Sequence, residues 1–141
     1  MRQSSFKPRD LPWAQRTFSK VWNHFQTQSV RATASNDSYL CAYRGPAGTS
    51  CAIGCLIPDA LYKPSMEAKA VADLVSGYAT SSPALITCLL GRAARTDRPL
   101  FRRRLAFLAQ LQAQHDLASD IDQVRSKLRD LAAQRNLRIP R

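Results

Sequence analysis

Five helix-start signals divide this chain of 141 residues, and they limit what it can fold into more than any other feature. Asp10 stands before Leu11-Pro12, Pro64 before Ser65, Ser82 before Pro83, Asp97 before Arg98-Pro99, and Ser119-Asp120 before Ile121. An Asp or Ser there offers a side-chain oxygen to a free first-turn amide, and proline suits a first turn that needs no N–H. Apolar stripes at helical spacing follow the signals. Trp13, Ala14, Phe18, Val21, Trp22 and Phe25 mark a helix to about Gln28, with His24 beside the stripe as a packed or surface residue. Met66, Ala70, Val71, Leu74 and Val75 mark a second, ended by Gly77, and the apolar run from Ala84 to Leu90 a third, ended by Gly91. Leu100, Phe107, Leu108, Leu111 and His115 share a face of a fourth; Ile121, Val124, Leu128, Leu131 and Ala132 stripe a fifth, with Arg135 where the helix dipole favours a cation. The last two are expected to form an antiparallel pair.

One stretch reads differently. Tyr39, Cys41 and Tyr43 alternate with Leu40, Ala42 and Arg44, and Gly45-Pro46-Ala47-Gly48 separates them from Thr49 and Cys51, the pattern of a small β-hairpin. The expected fold is therefore mainly α (α+β), about five helices packed with one hairpin. Residues 1–10 read as a flexible basic arm, 11–136 as a single globular domain and 137–141 as a tail. No run approaches the roughly 18 apolar residues of a membrane span, and residues 1–10 lack the apolar core of a signal peptide. The chain reads as a soluble cytoplasmic protein without membrane contact, in which the four cysteines stay free thiols.

The cysteines admit two chemical readings beside that of small buried side chains. Cys41, Cys51 and Cys55, spaced C-x9-C-x3-C, are candidate ligands of a tetrahedral ion, with His24, Cys88 or His115 as a fourth. Alternatively Cys51, at the start of a helix, is a nucleophile activated by the dipole, with His115 as base and Asp116 beside it. Neither spacing is distinctive, and no cofactor is expected.

Charge gives the third constellation. Lys and Arg number 21 against 10 Asp and Glu, a formal net charge of +11, and arginines outnumber lysines about three to one. Arg92, Arg95, Arg98, Arg102, Arg103 and Arg104 crowd the stretch before and within the fourth helix, where Asp97 is the one acid. Such a cluster can fork onto phosphates or dock on an acidic protein surface. No helix-turn-helix, zinc-finger or RNA-recognition signature accompanies it, so nucleic-acid binding would run through the backbone, with Tyr39, Tyr43, Tyr62 and Tyr78 as candidate stacking residues.

The string CAYRGPAGTSCAIGCLIPDALY, preceded by FSKVWNHFQTQ and followed by LAFLAQLQAQHD and LRDLAAQRNL, resembles a family of small uncharacterised phage and prophage proteins. Its pattern is C-x-YRG-x-x-G-x-x-CA-I/V-G, then LIPD-x-x-Y and a later LQ-x-x-HD. The resemblance spans about Phe18 to Leu137 and matches Cys41, Tyr43, Arg44, Gly45, Gly48, Cys51, Gly54, Pro58, Asp59, Tyr62, Glu67, His115 and Asp116. It implies a bacterial host cell and no particular activity. The combined expectation is a phage-type accessory protein that binds a host protein or nucleoprotein stoichiometrically through the arginine cluster, as an inhibitor of a defence complex would, rather than an enzyme. The alternatives are a non-sequence-specific nucleic-acid binder and a cysteine-dependent hydrolase or transferase using Cys51 and His115.

Overall fold

The computed structural model describes residues 6–34, 37–77 and 81–141, and the side chains of residues 34 and 37–40 are not among what it describes. The fold is mainly α. Its helices are α1 (Leu11–Thr27), α2 (Val71–Ser76), α3 (Pro83–Leu90), α4 (Arg98–Asp116) and α5 (Ile121–Arg135). Single helical turns occupy Pro46–Gly48, Gly54–Leu56, Pro64–Met66 and Arg92–Arg95.

Local capping chemistry explains most of these starts. Ser82 Oγ accepts from the Leu85 amide at 3.1 Å, Asp97 Oδ1 from Leu100 at 3.1 Å and Asp120 Oδ1 from Gln123 at 2.8 Å. At its other end α5 stops on Asn136 in the left-handed conformation, where a short polar side chain is tolerated. The apolar stripes meet in one core: Phe18, Phe25, Ile53, Leu74, Leu85, Leu90, Phe107 and Leu111 are all fully buried. Helix α1 packs on α4 and α5, which pack on each other, while α2 and α3 lie against α4. Among the described residues no helix is long and apolar enough to cross a membrane.

Three expectations are corrected. The hairpin across Gly45–Gly48 does not form: a strand at Asp37–Cys41 (β2) pairs backward, antiparallel, with β1 (Thr33–Ala34), with an irregularity between the two paired residues of β1. Residues Cys51, Ala52, Ile53 and Gly54 are instead all buried, and the following turn packs on α1, so this segment threads the core rather than edging a sheet. Second, Pro64-Ser65 opens a single turn only. Glu67 is extended and Ala68 has φ 62°, so α2 starts at Val71. Third, the described part of the N-terminal arm is anchored: Phe6 meets Phe107 edge-on at 4.8 Å, and Asp10 is buried. The tail is anchored too, with Leu137 buried and Arg138 exchanging backbone hydrogen bonds with the Gln15 side chain at 2.8 and 2.9 Å.

Candidate functional site

Helix geometry splits the arginine cluster in two. Arg104 stands four residues after Leu100 and shares the buried face with Phe107, Leu108 and Leu111, so its side chain enters the core. There it donates to the Leu90 carbonyl at 2.7 Å and lies 5.0 Å over the Trp13 ring. Gly91 makes room for it, since a Cβ at that position would stand 2.5 Å from the guanidinium. Arg103 donates to Asp10 Oδ2 at 2.8 Å, and Arg104 lies 3.7 Å from the other carboxylate oxygen. Asp10 thus spends its carboxylate on α4 and makes no side-chain cap for α1.

The other four, Arg92, Arg95, Arg98 and Arg102, are exposed and make no hydrogen bond or ion pair among the described residues. Arg95, Arg98 and Arg102 border a groove of about 590 Å³ lined also by Val75, Ala94, Phe101 and Leu105. The nearby acid is engaged elsewhere: Asp97 caps Leu100 and pairs with Arg9 at 3.0 Å, and the two contacts hold its carboxyl below the usual range. The result is an open cationic ridge beside an apolar-lined groove.

The segment that follows β2, from Tyr43 to Asp59, folds into a braced loop. The Arg44 guanidinium donates to the carbonyls of Gly54 and Ile57, both at 2.5 Å, and to Asp59 at 3.1 Å, with the Tyr62 ring 4.9 Å beneath it. The Glu67 carboxylate takes the amides of Tyr43 and Arg44 at 2.9 and 3.1 Å and the Tyr62 hydroxyl at 2.5 Å. Gly54 packs so close to Tyr43 that a Cβ would collide with its carbonyl. The Tyr43 hydroxyl donates to the Lys69 carbonyl. Tyr43 and Tyr62 therefore have internal partners, while Tyr78 and the Tyr39 side chain lie outside what is described.

Cys51 and Cys55 stand on one turn, and burial governs both thiols. Cys51 is buried, its sulfur accepting from the Gly54 amide at 3.3 Å, and burial pushes the thiol up to about 12 despite that amide. Burial likewise lifts Cys55 to about 12, and its thiol donates to the Ala52 carbonyl. No hydrogen bond joins Cys51 to His115 among the described residues. His24 contacts Gln28 at 2.8 Å and the Ser50 carbonyl at 3.3 Å, the contacts of a packed residue.

A different trio converges: the ligand-type atoms of Cys41, His115 and Asp116 lie within 4.8 Å of one another, and among the described residues they form the one such group of three or more. Cys51 and Cys55 are not in it. The hydrogen bonds decide what it can do. His115 Nε2 faces the Ala32 amide at 3.2 Å, and an amide only donates, so Nδ1 carries the ring proton and donates to Asp116 Oδ1 at 3.2 Å. Nδ1 thus offers neither a lone pair to a metal nor a base to Cys41. Asp116 also accepts from Gln112 at 2.9 Å; burial raises its carboxyl, but hydrogen bonds from His115 and Cys41 outweigh that and hold it below the usual range. Burial, then Asp116, push the Cys41 thiol up to about 11 although Arg31 donates to its sulfur at 3.1 Å. This is a strut between β2 and the end of α4, one wall of a concavity of about 530 Å³.

Sequence reasoning missed the inward turn of Arg104, which its place on the Leu100–Phe107–Leu111 stripe signals, and the role of Glu67, which no local pattern signals. No protein-family model, no curated protein and no solved structure matches this chain.

Proposed function

We propose that the protein is a stoichiometric binder of phage or prophage type that docks Arg92, Arg95, Arg98 and Arg102 on an acidic surface of a host protein in the bacterial cytoplasm, as an inhibitor of a defence complex would. The carrying observation is that these four exposed guanidinium groups pair with no carboxylate among the described residues, and that Arg95, Arg98 and Arg102 border an apolar-lined groove. Apolar area beside unpaired arginines is the composition of a protein interface, where arginine and aromatic anchors supply most of the energy. Replacing Arg95, Arg98 and Arg102 together by Glu is expected to abolish capture of the partner from host lysate, with or without nuclease. Undiminished capture at low salt overturns the reading.

The net charge of +11 favours a second reading, phosphate-directed nucleic-acid binding. Its signature is affinity that falls by orders of magnitude over a few-fold rise in salt. A gel shift across a salt series with wild-type protein separates the two, since a flat response removes the second reading and leaves the first. Thiol catalysis is the weakest reading, because the Cys51 thiol is buried and no base hydrogen-bonds to it among the described residues.

A further inference from the structure

We propose that the pocket between the N-terminal segment, α1, α4 and α5 binds a small dianionic phosphate through Lys7, Arg103, Arg104 and Arg135. This pocket, of about 260 Å³, is lined by those four cations and a single carboxylate, Asp10. None of the groove arginines Arg95, Arg98 and Arg102 lines it, so the assignment does not rest on the ridge.

The charges do not balance from within. Asp10 is committed to Arg103 through Oδ2, and its Oδ1 has no hydrogen-bond partner among the described residues although Arg104 Nε is 3.7 Å away. Arg104 Nε and Arg135 Nε are buried and find no acceptor among the described residues. Among the described residues Arg135 meets aromatic faces, with Phe6 at 4.0 Å and Phe107 at 5.9 Å. A ring face attracts the cation from above or below, but the guanidinium N–H groups lie in its own plane and need acceptors there. Burial also draws the pKa of Arg104 and of Arg135 down, the direction that a bound anion would reverse.

Phosphate chemistry fits these requirements. Guanidinium groups fork onto tetrahedral oxyanions, and several converging forks favour a dianion over a single carboxylate. The volume admits an inorganic phosphate or the phosphate end of a small monoester. It excludes a duplex or a folded segment. Asp10 holds Arg103 in place at the edge of the pocket.

The test follows the arginine Nε–H signals of the full-length protein by NMR during titration with inorganic phosphate, with glycerol 3-phosphate and, at matched ionic strength, with sodium chloride. Saturable shifts of the Arg104 and Arg135 signals are expected with phosphate and not with chloride. Arg135→Gln and Lys7→Gln should each raise the midpoint at least about five-fold, and Lys63→Gln, at an exposed position that lines neither the pocket nor the groove, should leave it unchanged. A stronger response to glycerol 3-phosphate assigns a monoester as the ligand, and an equal one assigns free phosphate. Shifts no larger than those with chloride overturn the proposal, as does a midpoint unmoved by Lys7→Gln. That variant changes an exposed side chain, so it decides the matter even if loss of the Arg135 stacking unfolds the other.

Discussion

His115 Nε2 accepts the Ala32 backbone amide at 3.2 Å, joining the last turn of α4 to the residue just before β1. The ring is fully buried and stacks on Phe25 at 5.6 Å, so it fills core volume and satisfies an amide that would otherwise be orphaned. His115→Ala is expected to destabilise the fold by about 3 kcal/mol, cavity and lost hydrogen bond together, read as a lower urea midpoint with an unchanged slope. A loss below about 0.5 kcal/mol would remove the strut from the account of the fold.

Thiol reactivity should follow exposure. Cys88 is the one exposed cysteine and should react first with an alkylating reagent at neutral pH. Cys51, buried and held protonated, should react only through unfolding, at a rate that rises with urea. Rapid labelling of native Cys51 would restore it as a nucleophile.

Stability should fall on the alkaline side. The Cys51 thiol moves from its ordinary 9.0 to about 12 on folding, so between those values the native state holds a proton that the unfolded chain has released. This contribution is intact below pH 9.0 and is lost as pH rises toward about 12, with Cys41 and Cys55 acting in the same direction. Urea midpoints measured through that range should decline, and less steeply in Cys51→Ala. A steeper decline in the variant would reverse the sign.

Removing the Asp10 carboxylate strands Arg104. Asp10→Asn is expected to cost roughly 2 kcal/mol, below the value for a fully buried pair because Arg103 is partly exposed. Thermal unfolding measures it, and an unchanged midpoint would mean that the arginines find other partners.

Gly54→Ala should be among the most damaging single methyl additions, because the new Cβ meets the Tyr43 backbone rather than a side chain that can swing away. An expected cost of about 2 kcal/mol or more, against little effect of Ala→Ser at exposed Ala133, tests the closeness of that approach.

Legibility in the sequence tracks the range of the interaction. Ser82, Asp97 and Asp120 read correctly as caps because each bonds an amide three residues ahead. Asp10 carries the same signal, but its carboxylate is claimed by Arg103, 93 residues away. The turn at Gly45–Gly48 is real, with Gly45 donating to the Thr49 carbonyl at 2.9 Å, yet the partner of β2 precedes it because Cys51–Gly54 is drawn into the core. Nothing near Glu67 announces that it will hold the amides of Tyr43 and Arg44, so the short turn before α2 is invisible to periodicity. The arginine cluster is visible as composition. Its division into an outward ridge and an inward pair is also readable, by asking which members keep helical register with Leu100.

The anchoring of Phe6 and Arg138 carries a consequence for engineering. Phe6 lies under Arg135, and Arg138 is tied to Gln15. Residues 6 and 138 are therefore both held on the core that α1, α4 and α5 build. A short insertion at the exposed Ser119, in the connection between α4 and α5, is therefore better tolerated than loss of Phe6 or of Leu137-Arg138, because it leaves the core contacts of both segments in place.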